Sequence, residues 1–228
     1  MAATATPRVF ADGFVSRLNS QYATIPQSAR SDLVLLPALA AMAEPPVAVS
    51  TLEQAELLPA GSAGFSAVAD WAKGDSQQAV LKAIKDVSKE DDWRKAMAFG
   101  LPYGVDSTPS EIVRTGLYSE LGDPPSLAGA DHRFLPRLDM AAILVNVEAT
   151  RLAADGKPTD AIDVLIGWAA VCRQMADRRF FAEAEWGLRN LNETFERIRD
   201  VAYEDSRGSK AIDTARLFDQ IKRLLASG

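Results

Sequence analysis

The chain has one cysteine, one histidine and no long apolar run, and each scarcity closes off a class of function. With Cys172 alone there is no internal disulfide and no Cys-x-x-Cys metal or redox site. With His132 alone there is no His-Glu-x-x-His zinc motif and no paired Glu-x-x-His set for a di-iron centre, since each needs two histidines. No metal and no cofactor is expected. The nucleophile elbow Gly-x-Ser-x-Gly, the Ser-x-x-Lys pair and the phosphate loop Gly-x-x-x-x-Gly-Lys-Ser/Thr are also missing, so no enzyme is expected. The longest apolar stretch, residues 33–43, is interrupted by Pro37 and bounded by Asp32 and Glu44. It falls well short of the ~18 residues that suggest a membrane span. Basic residues never cluster: 25 Lys and Arg stand against 31 Asp and Glu, for a net charge of −6. Nucleic acid is therefore not an expected partner. The first thirty residues carry Arg8, Asp12 and Arg17 and no apolar signal-peptide core. A cytoplasmic location is the default expectation.

What is present reads as a soluble, acidic helical protein. Hydrophobic residues make up 47% of the 228 and charged residues 25%, values of a folded domain rather than a disordered chain. Residues 1–27 are polar and irregular, and read as an N-terminal arm. Residues 28–228 read as a single helical domain, with a possible subdivision near 119–137 into 28–118 and 138–228. The first helix is expected over 27–43, kinked or restarted at Pro37 and ended by Pro45 and Pro46. Local chemistry marks further starts. Ser50 with Glu53 has capping-box spacing, Asp75 with Gln78 repeats it, and Thr108-Pro109 with Glu111 places proline at a first helical position.

The C-terminal half is the clearest. Residues 138–154 are apolar on most sides, the mark of a buried helix. Asp155-Gly156-Lys157 makes a turn, and Pro158 starts the next helix, which forces an antiparallel hairpin. Glu148 and Arg151, three apart on that buried helix, are expected to pair internally. Cys172 is expected to be a buried, inert thiol, and Trp168 and Trp186 to pack in the core. Phe181, Ala184, Leu188, Leu191, Phe195, Ile198 and Ala202 recur at 3 and 4, an a/d seam over three heptads that serves either as core or as an interface. Gly187 within it permits close packing by a neighbouring helix. A last amphipathic helix carries Ile212, Ala215, Phe218, Ile221 and Leu225. No strand is expected. The fold class is all-α, with antiparallel helical hairpins packed as a bundle or an irregular helical array and no significant β-sheet.

The hairpin at 145–173 resembles a single degenerate tetratricopeptide repeat. Ala149 stands where that family wants a small residue, Gly156 at its turn, and Ala161 and Leu165 at small and bulky positions of its second helix. Val145 and Leu152 stand where an aromatic is usual, and Arg173 where the closing proline belongs. The resemblance implies helical-hairpin architecture.

Two turn-rich loops, 100–107 and 122–137, gather the candidate ligand or partner contacts: Tyr103, Asp106, Tyr118, His132, Arg133 and Arg137. Aromatics and mixed charge on loops are a functional signal. His132, within Asp131-His132-Arg133-Phe134, reads either as a general base held by Asp131 or as a loop histidine near a helix start. Gly61-Ser62-Ala63-Gly64 reads as a flexible turn. The carboxylates Asp91-Asp92 and Glu183/Glu185 are accounted for by solvated helix faces. Taken together, these features predict a non-catalytic helical interaction or scaffold domain that binds a protein partner or itself. The alternative is a small-molecule-binding helical protein with a pocket near the two loops.

Overall fold

The computed structural model describes residues 8–89, 97–123 and 125–226. Among them are ten α-helices and one two-stranded ladder. Asp91-Asp92 lies outside the described residues.

Helix α7 (Leu135–Ala154) is the axis of the molecule, buried on nearly every side from Leu138 through Leu152. A segment with Ile143, Leu144, Val145 and Val147 in succession has no polar face to offer water. It ends in a Schellman turn: Lys157 N donates to Leu152 O at 2.9 Å and Gly156 N to Ala153 O at 3.1 Å. Gly156 has φ 73°, the left-handed conformation this turn needs and glycine adopts without strain. Helix α8 (Pro158–Ala176) starts one residue later and returns antiparallel to α7. The chain then reverses again into α9 (Phe181–Arg207), which packs along α8. A Cβ on Gly187 would fall on the Ala176 backbone nitrogen and within 2.7 Å of the Met175 carbonyl carbon. The absent side chain is thus what lets the end of α8 meet α9. Helix α10 (Thr214–Leu225), capped by the Asp213 carboxylate, lies on α8.

The N-terminal half covers α7 and α8. Helices α2 (Asp32–Ala41), α3 (Leu52–Leu57), α4 (Phe65–Ala72) and α5 (Asp75–Val87) all pack on α7, and α5 reaches α8. One contiguous core cluster runs from Leu35 to Leu217 and takes residues from both sides of the stretch 119–137. Several starts differ from expectation. The capping box at α3 uses Thr51 and Gln54, one residue beyond Ser50 and Glu53. Asp75 is the first residue of α5 rather than its cap, which is Gly74. Pro109 precedes a single turn of helix, α6 (Ser110–Val113). Pro37 sits inside α2 without ending it, while the expected first turn of that helix is a separate 3-10 turn at Gln27–Ala29.

Three larger differences follow. The supposed arm contains α1 (Arg8–Tyr22), whose Val15, Leu18 and Tyr22 form a second small core with Tyr103 and Leu127. Short strands β1 (Ser119–Glu120) and β2 (Asp131–His132) pair antiparallel. The a/d seam of α9 is not the buried face. The buried face runs Glu183, Gly187, Asn190, Thr194, Ile198, Val201 and Asp205. At ~100° per residue that is roughly a quarter of a turn away from the seam. Only Leu191 and Ile198 of the seam are buried, and Phe181 and Leu188 are 75% and 60% exposed. A polar face can be buried because its groups bond back to their own helix: Asn190 Nδ2 donates to Trp186 O at 3.0 Å and Thr194 Oγ1 to Asn190 O at 2.6 Å. On α10 the inward side chains are Leu217, Ile221 and Leu224, which leaves Phe218 outside.

Candidate functional site

The two turn-rich loops do meet. Tyr103 bridges to Ser119, and β1 pairs with β2, so that Ser119 faces His132. Successive strand residues point to opposite faces, which separates Asp131 from His132. Asp131 turns outward and accepts from Arg133 Nε at 3.3 Å. His132 turns inward, away from Asp131, so of its two readings the general base held by Asp131 is not the arrangement found.

Inward lies a buried polar cluster that draws on three parts of the chain. Glu183, in the first turn of α9, is fully buried, contrary to the solvated face expected for it. Its carboxylate accepts a two-pronged clasp from Arg178, Nε to Oε2 at 3.0 Å and Nη2 to Oε1 at 3.1 Å. It also accepts the Tyr103 hydroxyl at 2.6 Å, and His132 Nδ1 lies 3.3 Å from Oε1. The Arg178 guanidinium donates to Phe99 O at 3.2 Å and stacks 4.2 Å over the Tyr22 ring. Asn19 of α1 fixes Tyr103 by bonding both its backbone N and its backbone O, each at 2.8 Å. Burial alone would push the Glu183 carboxyl up, but the Arg178 charge and the hydrogen bonds from His132, Arg178 and Tyr103 hold it below the usual carboxylate range. Burial likewise drives the Tyr103 hydroxyl far up, so it stays a donor.

This cluster has the residue types of a nucleophilic relay but not the geometry. Ser119 Oγ meets His132 Nδ1 at 3.0 Å, and Glu183 meets the same nitrogen. A relay needs the hydroxyl on one ring nitrogen and the carboxylate on the other. His132 Nε2, the other nitrogen, is buried with no hydrogen-bond partner among the described residues. Ser119 and Glu183 are both fully sealed. The arrangement can hold charge in a fixed place and tie α1, the loops and the α8–α9 turn together.

The remaining candidates scatter. Tyr118 and Arg133 form a surface pair, with Nη1 3.1 Å from the phenol oxygen and the guanidinium 5.2 Å over the ring. Arg133 also pairs with Glu120. Asp106 is exposed on a separate turn. Arg137 turns to the other side of α7, where it donates to Met42 O at 3.1 Å and lies 3.3 Å from Glu44. Of the six candidates, Tyr103 and His132 come together in the buried cluster, Tyr118 and Arg133 on the surface beside it, and Asp106 and Arg137 stand apart.

An open cleft lies elsewhere, where the α3–α4 loop, the α7–α8 turn and the second half of α9 meet. It holds about 770 Å³ and has Pro59, Ala153, Pro158 and Val201 among its apolar walls. Arg197 reaches into it, with Nη2 donating to Thr150 Oγ1 at 2.6 Å and a buried Nε that meets no acceptor among the described residues. Asp200 and Glu204 also line it. Glu56 of α3 is pushed above the usual carboxylate range by partial burial and by Glu193, with Arg197 opposing and Glu196 and Asp200 adding to the rise. Glu193 is raised in the same direction, again chiefly by burial.

Other expected features are in place. Glu148 and Arg151 form a two-pronged pair at 2.8 and 2.7 Å, and Arg151 reaches on to Asp155 at 2.8 Å. Cys172 is fully buried, which raises its thiol pKa well out of the reactive range. Trp168 and Trp186 meet edge to face at 6.0 Å. Sequence reasoning passed over Arg178, Ser119 and Asn19: Arg178 meets Glu183 only five residues on, Ser119 meets His132 13 residues on, and Asn19 alone has a far partner, Tyr103, 84 residues away. No group of three or more metal-ligating side chains is assembled among the described residues, and no described helix is long and apolar enough to cross a membrane. Comparison with models of known families, with curated proteins and with solved structures returns no match to this chain.

Proposed function

We propose that the protein is a non-catalytic helical interaction module that presents apolar side chains on α9 and α10 to a protein partner or to a second copy of itself. The observation that carries this reading is the outward placement of Phe181 and Leu188 on α9 and of Phe218 and Leu225 on α10, the last two 68% and 53% exposed. Apolar side chains grouped on one exposed helix face are the surfaces partner helices use. The sealing of Ser119, His132 and Glu183 away from solvent supports the same reading.

The test is selection of displayed helical peptides against the native protein, with counter-screening against Phe218→Glu. Selected peptides are expected to bind the native chain at least tenfold more tightly, a difference of about 1.4 kcal/mol. Peptides that bind both forms equally would sink the reading. A second reading, a small-molecule binder, is favoured by the cleft around Arg197 rather than by the loops at 100–107 and 122–137. For it, ligands found by screening should lose affinity when Val201→Trp fills the cleft.

A further inference from the structure

The seam of α9 has heptad spacing, yet its own fold uses only part of it, packing Leu191, Phe195, Ile198 and Ala202 against the core. Phe181 and Leu188 are exposed, Tyr203 beside them is 59% exposed, and Ala184, Phe195 and Ala202 are half-buried. Spacing of this kind is satisfied by another helix lying along it. The charges on the same face say which helix. Glu185, Arg189, Glu196 and Arg199 are all exposed, and their signs alternate about Asn192, itself exposed. Glu185 and Arg199 each lie seven residues from Asn192, and Phe181 and Tyr203 each lie eleven.

We infer that this face is the interface of an antiparallel homodimer, two copies of α9 crossing about a twofold axis at Asn192. That pairing sets Glu185 against the second copy's Arg199 and Arg189 beside its Glu196. It also sets Phe181 against Tyr203 and Leu188 beside Phe195. An in-register parallel pairing would set each charge against its own kind, which is repulsive. The four charges sum to zero on a chain of net charge −6, so this is a face on which two acidic copies meet without repulsion. Arg199 is held only loosely in the single chain, by the exposed neighbour Asp200 at 3.2 Å. A twofold contact is self-complementary and closes, so assembly stops at two.

The inference rests on the interaction-module reading and names the partner of its α9 face. The experiment is sedimentation and light scattering of the full chain from low micromolar to millimolar concentration. The mass is expected to rise from 24.6 kDa to twice that value. Leu188→Glu, at an exposed position that leaves the fold intact by circular dichroism, should hold the chain monomeric. Glu185→Arg and Arg199→Glu should each weaken the dimer at least tenfold, and the two together should restore it. Asn192→Cys should yield a covalent dimer on mild oxidation, whereas Cys172, being buried, should not. A chain that is monomeric at every concentration overturns the dimer and leaves the peptide selection on α10 to decide the wider reading. A dimer indifferent to Leu188→Glu, or a double charge swap that fails to restore association, overturns this interface.

Discussion

The two ends of α9 treat glutamate in opposite ways. At its start Glu183 is fully buried and its pKa falls, while further along Glu193 is partly exposed and its pKa rises together with that of Glu56. Burial penalises charge at both ends, so burial does not decide the sign. At the start, one carboxylate has an arginine clasped to it, a tyrosine hydroxyl and the favourable end of the helix dipole. Further along, Glu193, Glu196 and Asp200 all act on Glu56 to raise it, with Arg197 opposing them. The number of acids per arginine, rather than depth, sets which end holds its charge at a profit to stability.

The strongest way to break the comparison is Glu183→Gln. It leaves the Arg178 guanidinium buried without its countercharge, which costs about 3–5 kcal/mol. Urea denaturation should show that loss, and a loss below about 1 kcal/mol would mean the pair is not buried as described. Replacing both partners, Glu183→Leu with Arg178→Met, should cost less than Glu183→Gln alone, because apolar groups of similar size need no countercharge. Next is Gly187→Ala, which pushes α9 off the backbone of Ala176 beside the buried cluster. It should cost about 1–3 kcal/mol by overpacking, measured by the same denaturation.

The pH dependence separates the ends by sign. Glu183 has a depressed pKa, so its contribution is present above the ordinary glutamate range and is lost as pH falls through its lower folded value. Glu56 and Glu193 have raised values, so they disfavour the fold at neutral pH and cease to do so as they take up protons in mild acid. Stability curves of the native chain and Glu183→Gln should therefore converge below about pH 4. Curves that stay parallel would refute the charge on Glu183. The smallest effect is Glu56→Gln. It should stabilise the chain by no more than about 0.5 kcal/mol at pH 7, since these carboxylates are screened by solvent. That gain should vanish in mild acid, and a loss at pH 7 would reverse the account of that end.

The helices of the second half were legible because their information is local. The turn at Gly156, the start at Pro158 and the buried run of α7 are each written in a few adjacent residues. Helix α1 was not legible, because Arg8–Tyr22 contains Gly13 and finds most of its apolar partners far along the chain, in Tyr103, Leu121, Leu127 and Phe180. The orientation of α9 was misread for a related reason. Counting apolar residues selects the seam, whereas the face that is buried carries Glu183, Asn190 and Thr194, whose bonds run to distant residues or back into the helix. For the candidate site, residue type singled out Tyr103 and His132, which the fold brings together at Glu183, while strand alternation turns Asp131 away from His132.

The cluster around Glu183 also bears on time. Its bonds join residues 80 apart, as between Tyr103 and Glu183, and 157 apart, as between Tyr22 and Arg179. Closing such long loops before any packing rewards them is slow, so these bonds should be among the last to form. Interactions absent from the folding transition state act on the rate of unfolding rather than the rate of folding. The bond from the Tyr103 hydroxyl to Glu183 is then a latch on the finished molecule. Its loss should steepen escape from the native state while leaving the speed of arrival almost unchanged.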